Sequence, residues 1–172
     1  RPIPEKASAI HGLYSRDLAD APAFAPAYAS FVSHLNGRLV TGHTVGFDTA
    51  LLANECARHG LKWVEPPFLD VRVLAQIVAP HLPGYSLEAL AAWLNVDVQN
   101  RHRALGDALA AARIFVALAP RLREVGVRSV GEALAACRRL TRPQLANAES
   151  ASPASAAGRS HIPVRQRDGI KL

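Results

Sequence analysis

Methionine is missing from all 172 residues, and cysteine occurs only twice. Without a methionine the chain does not display its own start. It opens on "RPIPEKASAIHGL" as if in mid-sentence, so the 172 residues are expected to be a fragment. Cys56 and Cys137 lie far apart, each within a helical pattern, and read as small buried hydrophobes of a reducing cytoplasm rather than a disulfide framework. No apolar run approaches the roughly 20 residues that span a bilayer, and no charged-then-apolar export signal opens the chain. There is no G-x-S-x-G elbow, no P-loop and no H-E-x-x-H, so serine hydrolases, P-loop nucleotide enzymes and zinc proteases lack their defining residues.

What is present is an ordinary globular composition, with 49% hydrophobic and 20% charged residues over one domain's length. The formal charge of +6 points to a polyanionic partner, but its distribution weakens that inference. Residues 1–140 hold 15 basic and 12 acidic side chains, and the last 32 residues hold 5 and 2. Half of the excess therefore falls in the final segment. Arginine outnumbers lysine 17 to 3, which suits bidentate phosphate contacts but is better read as the coding bias of an Ala- and Arg-rich proteome.

The periodicities predict helices over about 5–10, 23–36, 48–59, 71–79, 87–94, 104–118 and 129–140. Short β-favouring stretches fall at 38–43 and 66–71. From 143 the composition turns to Ser, Ala and Pro with few bulky apolar residues, the pattern of a low-complexity linker or tail. Strands alternating with helices argue for an α/β layered fold. Two short strands are too few for a sheet that so many helices could cover.

Three carboxylates and one histidine need explaining. In "HRALGDA" (102–108), Asp107 shares its helical stripe with Ala111, Ile114 and Leu118, so it points inward and needs a cation, a hydrogen-bond cluster or a metal. His102 stands on the preceding loop, from which it can converge on the same point. The plainer alternative is a polar helix start, with the aspartate favourably near the helix N-terminus. Asp48 in "LVTGHTVGFD" follows a strand and opens a helix, the place where α/β sheets put ligands, and where Asp also serves as an ordinary N-cap. Asp70 closes the other strand and suits a structural hydrogen-bonding role better than metal ligation. Together these groups form a hard-cation pattern that favours Mg²⁺ over zinc.

In combination and order the motifs resemble the DEDDh 3′→5′ exonucleases, which include the epsilon proofreading subunits, ribonuclease T and oligoribonuclease. "HRALGDA" matches the third motif of that family, H-x-A-x-x-D-A. "GHTVGFD" is similar to the second motif, close to H-N-x-x-F-D, and "AIHGL" to an Ile-His-Gly-Ile stretch ahead of it. "LDV" stands where the family usually has Asp-Thr. The resemblance covers about residues 1–120 and implies a ribonuclease H-like α/β exonuclease fold. It implies a two-metal Mg²⁺ or Mn²⁺ site acting on DNA or RNA 3′ ends. By the same resemblance His102 is the general base and Asp107 and Asp48 are metal ligands. Ile10, His11, Phe47 and His43 lie against the terminal nucleotide, and Asp70 is structural. A polymerase subunit or a fused C-terminal module is the implied partner, with no membrane.

Two small departures are Thr44 for the usual Asn and Val71 for the usual Thr. A larger one is that the family's first motif, Asp-x-Glu on the opening strand, occurs nowhere in these residues. Truncation explains this better than loss. The expected exonuclease domain (1–142) is therefore incomplete, inactive alone, and exposed along the strand edge beside 38–43. The alternative reading is a degenerate exonuclease-like domain that binds nucleic acid or protein without chemistry.

Overall fold

The computed structural model describes residues 3–99 and 102–150, with side chains described as far as residue 141. Helix α1 (Glu5–His11) ends where Gly12 takes a left-handed conformation, φ 70°, and its N–H returns to the Ser8 carbonyl. A 3-10 turn, Ser15–Leu18, follows. Helix α2 (Phe24–Leu35) presents Tyr28 to a small aromatic cluster with Phe24, Phe31 and Trp63. The Tyr28 hydroxyl donates to the Lys62 carbonyl and accepts from the Val64 N–H, pinning α2 to the segment after the next helix.

Strand β1 (Val40–Gly42), helix α3 (Val45–Arg58) and strand β2 (Phe68–Asp70) form a parallel β–α–β unit. The register pairs Val40 with Phe68, Thr41 with Leu69 and Gly42 with Asp70. Both strands are shorter than the 38–43 and 66–71 stretches expected. Pairing survives only where both chains run extended, and Pro66 and Pro67 leave β2 without donors at its start. Among the described residues β1 pairs with β2 alone. The fold is thus mostly helical with a small two-stranded parallel sheet, in keeping with an α/β exonuclease domain.

Asp70 caps helix α4 (Val71–Val78), its carboxylate accepting from the Arg72 N–H, and Ser86 caps helix α5 (Leu87–Leu94) through the Ala89 N–H. Helix α6 (Ala104–Glu124) carries Pro120 inside it and runs past the expected end at 118. Helix α7 (Val130–Ser150) continues well beyond 140, into the segment read as a tail from 143. The rest of that segment, 151–172, lies outside the described residues.

The core gathers Leu69, Leu74, Leu90, Ile114 and Leu118, all almost fully buried between the sheet and helices α4 to α7. One expectation about α6 fails in part. Ala111, Ile114 and Leu118 are buried as expected; of the apolar residues beside them, Leu105 and Leu109 face out at 73% and 48% exposure, while Phe115 packs half-buried against the core. Cys56 and Cys137 are both free and buried, as their setting in helices implied. No described helix is long and apolar enough to cross a membrane.

Candidate active-site cleft

A cleft of about 550 Å³ opens along β1 between the N-terminal turns of α3, α5 and α6. Val40, Thr41 and Gly42 form one wall and Ala104, Ala108 and Ala111 another. Asp48, Glu88 and Asp107 bring carboxylates to it, and His43 brings an imidazole. The three acids come from the first turns of three helices, where exposed N–H groups favour negative charge.

Asp48 reaches the cleft from the first turn of α3, not from its N-cap. Thr44 holds the N-cap position, at φ 58° in the left-handed region. The helix thus begins three residues before the expected start, which rotates Asp48 onto the cleft side. Partial desolvation, with repulsion from Asp70, pushes the Asp48 carboxyl above its ordinary range, opposed by its own backbone N–H. Water still reaches the side chain and screens that repulsion, so the shift carries little stability.

Asp107 is half-buried on the first turn of α6, and its helix bonding begins with its N–H on the Arg103 carbonyl. Glu88 and Asp107 both already interact with other groups. Glu88 was legible in the sequence only as the polar start of α5. Its position two residues after the Ser86 cap, on the first turn of α5, was the available signal.

The other expected site residues are less concentrated. His102 is exposed at φ 62°, two residues before Ala104, and does not itself line the cleft. Ile10 and Phe47 are 64% and 70% exposed and also lie outside its lining. The His11 Nδ1 accepts the Leu13 N–H at 3.1 Å, folding that ring over the end of α1. Next to this helix end, a side chain at Gly12 would press on the Arg103 guanidinium at 3.2 Å. The α1 terminus and the His102 loop are therefore neighbours although distant in sequence. Asp70 is not part of the cleft lining: its Oδ1 accepts the Thr44 N–H at 3.1 Å and the Arg72 N–H at 2.9 Å.

The donors on the cleft are all carboxylate oxygens plus one imidazole already hydrogen-bonded, a set that suits a hard cation. Among the described residues no group of three or more His, Cys, Asp or Glu side chains is close enough to enclose a metal ion. Mg²⁺ does not require such a cage, because one or two carboxylates commonly hold it while waters and phosphate oxygens complete its shell. The residues present therefore fit a cation shared with a phosphate ligand, and do not fit a closed structural site.

Comparison with known proteins agrees with the motif order. The exonuclease family of ribonuclease T type matches residues 1–115. A DNA polymerase III subunit epsilon-like protein of Rhodobacter capsulatus is 33% identical over 141 residues, covering 81% of this chain and 20% of that protein. A PolC-type DNA polymerase III of Caldanaerobacter subterraneus is 30% identical over 131 residues, covering 76% of this chain and 9% of the polymerase. The DNA polymerase III subunit epsilon of Aquifex aeolicus is 29% identical over 114 residues, covering 66% of this chain and 56% of its own. The chain thus spans between about a tenth and just over half the length of these relatives. With the family match running through both the Asp48 and the Asp107 motifs, the chain belongs to the DEDDh exonuclease family.

Proposed function

We propose that this chain is part of a metal-dependent 3′→5′ exonuclease that hydrolyses phosphodiester bonds at DNA or RNA ends. The observation that carries the reading is that Asp48 and Asp107, on separate helices, line one cleft at the end of a parallel strand. In this reading both carboxylates hold Mg²⁺ or Mn²⁺. Bound there, a pair of such ions supplies water activation and charge stabilisation on both oxygens of an in-line displacement. His102 takes the proton of the attacking water, a role for which a neutral imidazole is suited near neutral pH. Its exposed place ahead of Ala104 leaves it accessible to substrate. Ile10 and Phe47 supply exposed apolar surface for the terminal nucleotide, with the half-buried His11 ring beside Ile10.

The 172 residues hold no Asp-x-Glu, so the two further carboxylates of the reading are not among them. The 172-residue chain alone is accordingly proposed to be inactive, and the unpaired side of β1, which faces the cleft, is where a carboxylate-bearing strand would complete it. The similarity to epsilon and PolC-type proteins supports a polymerase as partner. The non-catalytic alternative draws on the lack of a three-ligand group among the described residues. The test is release of nucleoside 5′-monophosphates from labelled DNA and RNA by this chain joined to a strand bearing Asp-x-Glu. Activity that requires Mg²⁺ or Mn²⁺, stops in EDTA and falls by orders of magnitude in Asp107→Ala and His102→Ala supports the enzyme. Tight nucleic-acid binding with no product, or full activity in Asp107→Ala, refutes it.

A further inference from the structure

His43 was expected against the terminal nucleotide, but its hydrogen bonds describe a different role. Its Nε2 lies 2.7 Å from the Tyr85 carbonyl oxygen, and its Nδ1 lies 3.2 Å from the Thr44 hydroxyl. A carbonyl only accepts, so Nε2 must carry the proton; Nδ1 of the neutral ring then accepts from Thr44. Both ring nitrogens are thereby used, and little remains for a nucleotide.

The bond to Tyr85 joins two walls of the cleft. His43 stands at the end of β1, on the turn that leads into Asp48. Tyr85 immediately precedes Ser86, the cap of α5, whose first turn carries Glu88. Each end of this bridge is anchored again. The Thr44 N–H donates to Asp70 at the end of β2, and the Tyr85 hydroxyl donates to the Ala79 carbonyl at the end of α4. A continuous chain of hydrogen bonds thus runs from Asp70 through Thr44 and His43 to Tyr85. It ties together three connections that would otherwise move independently. His43 also separates the cleft from a second cavity of about 440 Å³, lined by Thr44, Arg72, Gly84, Tyr85 and Ser86.

We infer that His43 is a positioning residue: a neutral-imidazole clasp that fixes the Asp48 turn relative to the Glu88 helix and so sets the cation affinity of the cleft. The inference rests on the metal reading of that cleft, but its geometry can be tested apart from it. Supporting hydrogen bonds of this kind hold a ligand's carrier in place, and their loss weakens metal binding about 10- to 100-fold. Glutamine is the informative replacement, since its Nε2 can reach the Tyr85 carbonyl where alanine offers nothing.

The test uses the 172-residue chain with Mn²⁺ as the probe. Nitrogen-15 spectra of its histidines should show His43 as the Nε2–H tautomer with a slowly exchanging ring proton. In His43→Ala the Thr44 amide should exchange about five-fold faster, the equivalent of one lost hydrogen bond, and His43→Gln should restore it. Mn²⁺ affinity should fall about 10-fold or more in His43→Ala and recover in His43→Gln. A rapidly exchanging ring proton, or Ala and Gln variants alike in both measurements, overturns the clasp. Ring protection and Gln rescue in a chain that binds no Mn²⁺ supports the clasp and refutes the metal reading instead.

Discussion

Asp48 shows how a single rotation decides a residue's role. Had α3 begun at Asp48, its carboxylate would have been spent on capping backbone N–H groups. Because α3 begins at Val45, the side chain turns to the cleft and meets partial desolvation and the charge of Asp70. Its folded-state pKa is raised, so the folded chain holds this proton more tightly than the unfolded one. The associated stability is complete below the ordinary aspartate range and is lost as pH rises through the raised value. Asp48→Asn should therefore match the original chain in thermal stability at acid pH and exceed it only slightly at pH 7, because water screens the carboxylate. Melting curves across that range check this, and an Asn variant that is the weaker of the two at pH 7 would contradict the assigned direction. Thr44 has the opposite legibility. The sequence marks it as a departure from Asn, and the structure adds that a β-branched residue here occupies the left-handed region, where Asn is better tolerated.

At the scale of elements, periodicity located the helices well and their ends less well. Ser86, Gly12 and the apolar stripe of α6 were readable because each acts locally, through a cap, a turn or a helical spacing. The start of α3 and the end of α6 depend on tertiary packing that no local pattern encodes. The outward orientation of Leu105 and Leu109 on α6 was not legible for a related reason. A helix with apolar residues on most of its circumference gives no local sign of which sector finds a partner. The two sectors should behave differently on substitution. Ile114→Ala, in a fully buried position, should cost about 2–5 kcal/mol. Val116→Lys, on the exposed side at 70%, should change stability by less than about 0.5 kcal/mol and reduce self-association of the chain. Denaturant titrations and light scattering separate the outcomes; equal losses in both variants would contradict the burial pattern.

For the whole molecule, the order of motifs carried more than any fold prediction could. The sequence placed Asp48, Asp107 and His102 at element ends, and the structure brings the two aspartates to one cleft while leaving His102 just outside its lining. Glu88 joined them only through the packing of α5 on α6, an association between distant segments that spacing does not reveal. The sheet shows the same limit: β1 lines the cleft and among the described residues pairs only with β2, and nothing local to "RLVTGH" indicates what lies on its other side. The proposed function requires Asp48 and Asp107 to face one divalent-cation site. Paramagnetic line broadening by substoichiometric Mn²⁺, read across the backbone amides of this chain, tests it directly. Broadening should concentrate on the first turns of α3 and α6 and disappear in Asp107→Ala. Broadening confined to other surfaces, or unchanged by Asp107→Ala, would contradict the claim.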